Sequence, residues 1–222
     1  MKNTSTSIII FLFLLIIISC TQKKESQIKF KDFEINVSKD EEPPLVFELV
    51  SKNGTQYFIE NQPKKWNGVP QDSEIKIKVY DWKLFPHNNI EFEYPRTYSF
   101  EADLSKTNDI WTLSGNDFKI MVIRPLIEMD VKTYVDKMVE QFGPSNCTTK
   151  EIFKKLNHSE LNGIQLLVKL SGVYLELNVM EIIDNSGNKS LLVFQDSLSD
   201  AKKNSKESSS TMKRIEQTFK VN

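Results

Sequence analysis

The spacing of apolar residues constrains this chain more than any other feature of its sequence. Over most of residues 90–195 apolar and polar residues alternate, which is the period of a half-buried β-strand. The period changes once, between Asp130 and Gly143, where apolar residues recur every three or four positions. This stripe predicts a helix over residues 131–142, capped by Asp130 and ended by Gly143-Pro144; its members are Val131, Tyr134, Val135, Met138, Val139 and Phe142.

The remaining patterns predict an α+β fold, an antiparallel sheet covered by two helices. Strands are expected before the central helix and four more after it, with a last helix from about Ser205 to Phe219. The inner face of that helix would carry Ser208, Met212, Ile215 and Phe219. Short connections between the strands favour antiparallel pairing, with turns expected at Asn162-Gly163, Ser171-Gly172 and residues 184–187.

The part of the chain before residue 87 is a separate prediction. Residues 30–86 form a β-rich N-terminal region of about four strands without a helix, including a hairpin at Asn53-Gly54. Residues 87–222 form the main domain. Four strands make a small core, so we expect the N-terminal region to pack on the main domain or to extend its sheet.

The first 20 residues indicate where the protein resides. Lys2 is their only charge, and Ile8 to Ile18 is an unbroken apolar run. A helix of this length rises roughly 16 Å, about half of a bilayer core, so it is too short to span and has the length of a signal-peptide core.

The ending Ile17-Ile18-Ser19-Cys20 resembles the bacterial lipobox. That resemblance implies cleavage after residue 19, acylation of Cys20 and a lipid anchor in the cell envelope, with palmitate among the acyl chains. Residues 1–19 would be the signal peptide and residues 20–29 a polar tether. Thr21, where an Asp tends to retain lipoproteins at the inner membrane, implies the outer membrane, facing either the periplasm or the cell surface.

Composition excludes several classes of function. Lys and Arg number 29 and Asp and Glu number 30, so the net charge of −1 argues against a nucleic-acid partner bound through phosphate neutralisation. Two cysteines and two histidines exclude a disulfide scaffold and a metal site rich in these residues. We expect no metal site and no cofactor.

Residues 87–222 resemble the PsbP-like family, which includes DcrB-like bacterial lipoproteins. The resemblance implies a non-enzymatic role in binding a protein partner or a membrane complex, and no functional residue of the family carries over. The segments that carry it are Ile90-Glu91-Phe92-Glu93-Tyr94-Pro95, the turn from Trp111 to Gly115 into Phe118–Ile123, the helix over 131–142, Leu161-Asn162-Gly163, and the ending Met212, Ile215, Thr218-Phe219.

Few residues are candidates for chemistry, and no catalytic residue is predicted. His87 and His158 are read as surface turn residues, and Cys147 as a half-buried thiol in a strand without a neighbour that would activate it. Glu91 and Glu93 share one strand face, which would suit an acid–base pair only if both were buried together; a solvated face is favoured. Asp103, Asp109 and Asp117 are interpreted as turn formers.

Aromatic residues near strand ends are the candidate binding residues. Trp66, Trp82, Phe85 and Tyr94, with Tyr98 and Trp111, would make a partner or ligand surface if several were exposed together, although a core role is favoured. The leading hypothesis is a lipid-anchored, non-catalytic accessory protein that engages a protein partner. The alternatives are a hydrolase with dispersed carboxylates, and a small-molecule or glycan binder that uses loop aromatics.

Overall fold

A computed structural model describes residues 25–30, 33–52, 54–62, 76–199 and 203–222. The predicted signal peptide, Cys20 and Trp66 lie outside these residues. The helices are α1 (Val131–Phe142) and α2 (Lys206–Thr218). The strands are β1 (Glu25–Phe30), β2 (Phe33–Ser38), β3 (Val46–Ser51), β4 (Gly54–Ile59), β5 (Lys76–Val79), β6 (Trp82–Phe85), β7 (Ile90–Pro95), β8 (Ser99–Leu104), β9 (Asn108–Ser114), β10 (Phe118–Pro125), β11 (Cys147–Leu156), β12 (Ser159–Leu170), β13 (Val173–Ile183), β14 (Lys189–Leu198) and β15 (Lys220–Val221).

The main body is a seven-stranded antiparallel sheet in the order β11-β12-β13-β14-β10-β9-β8. β10 and β14 pair at its centre, and α1 connects β10 to β11 at one edge. The predicted α+β class with an antiparallel sheet and two helices is confirmed, and sheet dominates the fold.

The two helices cover opposite faces of the large sheet, which explains why its central strands are apolar on both sides. β14 shows this directly, because Ser190 to Phe194 are all buried. On one face α1 packs over Ile123, Leu166, Val168, Leu177, Val179, Leu191 and Val193. On the other face Met212, Ile215 and Phe219 of the α2 segment join Trp111, Leu113, Phe118, Ile120, Val122, Met180, Ile182, Leu192 and Phe194.

Both helices begin where the sequence predicts. The Asp130 carboxylate accepts a hydrogen bond from the backbone N–H of Thr133 at 2.7 Å, and α1 stops at Gly143. The Ser205 hydroxyl accepts from the N–H of Ser208 at 2.9 Å and caps α2. Ser208, Met212, Ile215 and Phe219 are buried, as expected.

A small three-stranded sheet, β15-β7-β6, packs on the same face as α2. Its strands β6 and β7 come from either side of residue 86 and pair antiparallel, from Trp82 opposite Pro95 to Phe85 opposite Phe92. Because β6 lies before residue 86, the N-terminal region contributes directly to the layer that covers the large sheet.

The other N-terminal strands form two small sheets, β1-β2 and β4-β3-β5, with a shared core of Ile35, Val37, Val46 and Ile59. β3 and β4 pair antiparallel with Ser51 opposite Gly54, as the predicted hairpin requires, and Asn53 itself lies outside the described residues. The predicted tether over residues 20–29 is wrong from Glu25 onward, because Glu25–Phe30 pairs with Phe33–Ser38 as β1. The first three residues of β1 are polar and only Ile28 and Phe30 are apolar, so too few alternating positions were present to indicate the whole strand.

The predicted turn at Asn162-Gly163 is also wrong. The chain reverses at Asn157-His158, where Asn157 has a positive φ of 51°, and Gly163 lies inside β12 opposite Met180. A Cβ on Gly163 would lie 2.2 Å from the carbonyl oxygen of Val179. Glycine is therefore required here by close strand packing and not by a turn.

Candidate functional site

A cavity of about 840 Å³ lies where three loops and Asn222 meet at one end of the large sheet. We call it the loop cleft. Its walls are the β6–β7 loop, the β10–α1 loop and the β13–β14 turn. The lining residues are Lys39, Pro86, Asn88, Asn89, Glu91, Arg124, Pro125, Leu126, Ile127, Glu128, Met129, Asp130, Asp184, Asn188, Lys189 and Asn222.

Asp184 organises one wall of the loop cleft. Its Oδ1 accepts hydrogen bonds from the backbone N–H groups of Ser186 and Asn188, each at 2.9 Å. Its Oδ2 accepts from the side-chain amides of Asn89 at 2.8 Å and Asn188 at 2.9 Å. Desolvation alone would raise the pKa of Asp184, but these hydrogen bonds outweigh it and hold the pKa below its usual range. The carboxylate is thus a fixed structural anion.

Two successive asparagines form the adjoining wall. Asn88 and Asn89 have φ values of 59° and 58°, a left-handed conformation that asparagine tolerates better than most residues. Asn88 Nδ2 donates to Ser190 Oγ at 2.5 Å, and the backbone N–H of Asn222 donates to the carbonyl of Asn89 at 2.8 Å. These bonds tie the loop to β14 and to the C-terminal segment, so the cleft wall is held from two sides.

On the basic side of the loop cleft, the buried carboxylate of Asp109 pairs with two basic residues. Asp109, 5 % exposed, contacts Arg124 Nη2 at 2.5 Å and Lys39 Nζ at 3.0 Å. The interpretation of Asp109 as a turn former is wrong, because β9 extends to Asn108 and places Asp109 between two basic residues far away in sequence.

His87 lies under the cleft and not on the surface, so the prediction of a surface turn residue is wrong. The side chain is fully buried and stacks on Trp111, between Phe85 and Phe100. Desolvation, with a smaller effect of the Lys39 charge, lowers the pKa of His87 to about 4, against an opposing hydrogen bond with the backbone of Glu41. The imidazole is therefore neutral at physiological pH. His158 is exposed in the β11–β12 turn, as predicted.

The rim of the loop cleft is apolar. Leu126 is 47 % exposed and Ile127 is 61 % exposed, although each follows a buried strand. The loop cleft thus combines paired charges, oriented amides and two exposed apolar side chains, a combination suited to binding.

The aromatic residues proposed for binding are not gathered on a surface. Phe85 and Tyr94 are 0 % exposed and belong to the core with Tyr98 and Trp111, which corrects their assignment as surface binding residues. Their strands point them at the large sheet, where burial outweighs any binding role. Trp82 is half-buried, with the Arg214 guanidinium 5.5 Å from its ring centroid, and Trp66 lies outside the described residues.

Both glutamates of β7 accept hydrogen bonds from neighbouring side chains. Glu93 accepts hydrogen bonds from Arg214 Nε at 2.7 Å, from Arg214 Nη2 and from the Tyr80 hydroxyl at 3.1 Å. Glu91 accepts from the Asn222 side chain at 2.7 Å. The expectation of a solvated face is wrong for Glu93, which is 8 % exposed. Burial, followed by the Glu93 charge, raises the pKa of Tyr80 to about 12.

Of the remaining candidates, Cys147 agrees with its sequence interpretation, whereas Asp103 lies inside β8 and the prediction of a turn former is wrong for it. Cys147 opens β11 and is half-buried, and burial raises the pKa of its thiol, which does not favour a nucleophile. Among the described residues no three His, Cys, Asp or Glu side chains are grouped to hold a metal ion. In the same part of the chain, no helix combines the length and the apolarity needed to cross a membrane.

The sequence contained two signals for the loop cleft that were not combined. The pair Asn88-Asn89 after Pro86-His87 is typical of a left-handed turn, and residues 184–187 were predicted as a turn. Nothing in either local pattern indicates that the two loops meet.

Comparison with known proteins assigns no family. No protein-family model matches the chain, and no curated protein matches it.

Proposed function

We propose that this chain is a lipid-anchored accessory protein of the bacterial cell envelope that binds a protein partner at the loop cleft. The anchor is supported by the sequence, because the apolar run Ile8–Ile18, Ser19 and Cys20 occur in the order of a lipobox. Thr21 after the acylated cysteine favours the outer membrane.

The PsbP-like assignment of the main domain is part of this proposal. It is supported by the antiparallel sheet with one helix inserted between β10 and β11 and a second after β14. The family resemblance implies partner binding without catalysis, and the engaged state of Glu91 and Glu93 weighs against the alternative of a hydrolase built on that pair.

Partner binding is supported by two adjacent exposed aliphatic residues, Leu126 and Ile127, on the rim of the loop cleft. Two adjacent aliphatic side chains at 47 % and 61 % exposure stand beside a concave surface of fixed amides and paired charges. Central apolar contacts with a polar surround are typical of protein interfaces.

The anchor is tested by metabolic labelling with palmitate. We expect label on the wild-type protein and none on Cys20→Ala. Labelling of Cys20→Ala, or an unlabelled wild type in the membrane fraction, would overturn the anchor without affecting the cleft.

The cleft is tested by photo-cross-linking in the native membrane. A photoreactive residue in place of Ile127 is expected to give one defined adduct that disappears with Leu126→Ser. The matched control carries the photoreactive residue in place of Val173, which is 52 % exposed in the β12–β13 turn region. Equal adducts from both positions, or an adduct indifferent to Leu126→Ser, would contradict partner binding at the cleft.

A second candidate function is binding of a polar small molecule such as a glycan in the same cleft. Asn88, Asn89, Asn188 and Asn222 line it, and each amide offers both a donor and an acceptor. A glycan array should then show binding that Asn188→Ala removes. If Trp66→Ala removes the binding instead, the loop-aromatic hypothesis is supported.

A further inference from the structure

The large sheet ends in a long strand with an open edge. β11 is ten residues long and pairs with β12 in an unbroken register from Cys147 opposite Val168 to Leu156 opposite Ser159. Among the described residues no other strand pairs with its outer edge. β11 contains neither proline nor glycine, so its outer backbone N–H and C=O groups form a regular template for another strand.

Charge on β11 favours one kind of added strand. The strand carries Lys150, Lys154 and Lys155 against the single acid Glu151. Lysines on an edge oppose pairing with a like-charged strand but attract an acidic one, because directly opposite cross-strand charges interact.

A second copy of this chain offers two competing strands. In a symmetric antiparallel pairing of β11 with itself, a register centred on Ile152 places Lys150 opposite Lys154, which is repulsive, and a register centred on Phe153 places Glu151 opposite Lys155 but leaves Lys150 and Lys154 without an acid. The opposite edge of the sheet, β8, is shorter at six residues and carries Glu101 and Asp103. A strand with an acid opposite each of the three lysines fits the edge better than β11 itself, and pairing of β11 with β8 of another copy is the main competing arrangement.

The side chains of β11 also indicate which types of residue an added strand would carry at each position. Ile152 and Leu156 face α2, so Lys150 and Lys154 lie on that face. Phe153, 58 % exposed, and Lys155 lie on the opposite face. An antiparallel strand complementary to this edge carries acids opposite Lys155, Lys154 and Lys150 and an apolar side chain opposite Phe153.

We propose that the outer edge of β11 binds an extended acidic segment of a partner protein as an added antiparallel strand. Main-chain hydrogen bonds supply the attachment, and the three lysines with Phe153 supply the selectivity. No residue of β11 lines the loop cleft, so this surface goes beyond the proposed function and stands without it.

The test uses the full chain purified in detergent and the fluorescent peptide Thr-Glu-Glu-Phe-Val-Thr-Glu-Thr-Val, whose acids oppose the three lysines. We expect saturable binding by anisotropy and slowed amide exchange confined to β11.

Replacing the three lysines by Glu should weaken binding about tenfold at low salt, because three cross-strand charge pairs then change from attractive to repulsive. The matched control, Lys106→Glu with Lys137→Glu and Lys203→Glu, changes the net charge equally at exposed sites outside β11 and should leave binding intact.

A second peptide separates strand addition from simple charge attraction. The same sequence with N-methyl groups on alternate residues keeps the charge but loses backbone donors, and we expect it not to bind. Equal binding of the methylated peptide, or equal weakening by the control lysines, overturns the proposal. Absence of peptide binding also overturns it, and concentration-dependent association that Glu101→Lys with Asp103→Lys abolishes would assign the edge to a second copy.

Discussion

The imidazole of His87 lies parallel to the indole of Trp111, with ring centroids 5.4 Å apart and planes inclined by 7°. The Trp111 Nε1–H in turn donates to the carbonyl of Lys39 at 2.8 Å. This pair joins the β6–β7 loop, β9 and the N-terminal region beneath the loop cleft. A protonated imidazole would be poorly solvated there, with the Lys39 charge nearby.

Stability should therefore depend on pH through His87. Its pKa is about 4 in the folded protein and about 6.5 when unfolded, so only the unfolded state gains a proton between these values. The stabilisation that results from this pKa difference is fully present above pH 6.5 and is lost as the pH falls to about 4. Over that range the free energy of unfolding should fall by about 3 kcal/mol. Urea denaturation of wild type and His87→Phe from pH 7.5 to 4 should show a steeper loss in wild type. His158→Gln, in an exposed turn, should follow wild type, and parallel curves for wild type and His87→Phe would contradict the prediction.

Arg214 should be needed to keep Glu93 buried. Arg214 Nε donates to Glu93 at 2.7 Å, and its Nη2 donates to the Tyr80 hydroxyl at 2.5 Å. Arg214→Met leaves Glu93 without its cationic partner and should cost about 2 kcal/mol, less than a fully buried pair because Arg214 remains partly exposed. Thermal unfolding measures the loss. Adding Glu93→Gln should recover part of it, and strictly additive losses in the double variant would show that the two residues are not coupled.

Glu207 should stabilise the β9–β10 turn by direct hydrogen bonds, although the two are far apart in the sequence. Its carboxylate accepts from the backbone N–H groups of Asn116, Asp117 and Phe118, at 3.3, 2.6 and 3.2 Å. Glu207→Ala removes all three bonds and should lower the free energy of unfolding by about 2 kcal/mol, measured in urea. Glu140→Ala, at an exposed position of α1, is the matched control and should change it little. A loss at Glu140 as large as that at Glu207 would contradict the assigned role.

Gly163 should not tolerate a methyl group. Because a Cβ would lie 2.2 Å from the Val179 carbonyl oxygen, Gly163→Ala has to separate β12 from β13 and should cost at least about 1 kcal/mol. Ser159→Ala at the start of β12 is a control in the same strand. Guanidinium denaturation compares the two, and an unaffected Gly163→Ala protein would show that these strands lie farther apart than described.

The helices and most strands follow from local information. The apolar stripe from Val131 to Phe142 and the caps Asp130 and Ser205 act within a few residues, so α1 and α2 could be predicted with nearly correct ends. Alternation likewise predicts β7, β9 and β13. The start of β1 was missed because Glu25, Ser26 and Gln27 are all polar. The turn at Asn162-Gly163 was mispredicted because glycine occurs both in turns and at close contacts between strands.

Neighbouring residues alone are enough to predict the α+β class and the ends of both helices, whereas the lipobox-like order of Ile17-Ile18-Ser19-Cys20 stays a prediction. The packing of distant segments buries His87, places Asp109 between Lys39 and Arg124, and brings Glu93 to Arg214. These contacts join residues that strand pairing and the packing of α2 bring together across long stretches of chain. Local periodicity sets which face of an element is buried, but the partner on that face depends on the order of strands in the sheet.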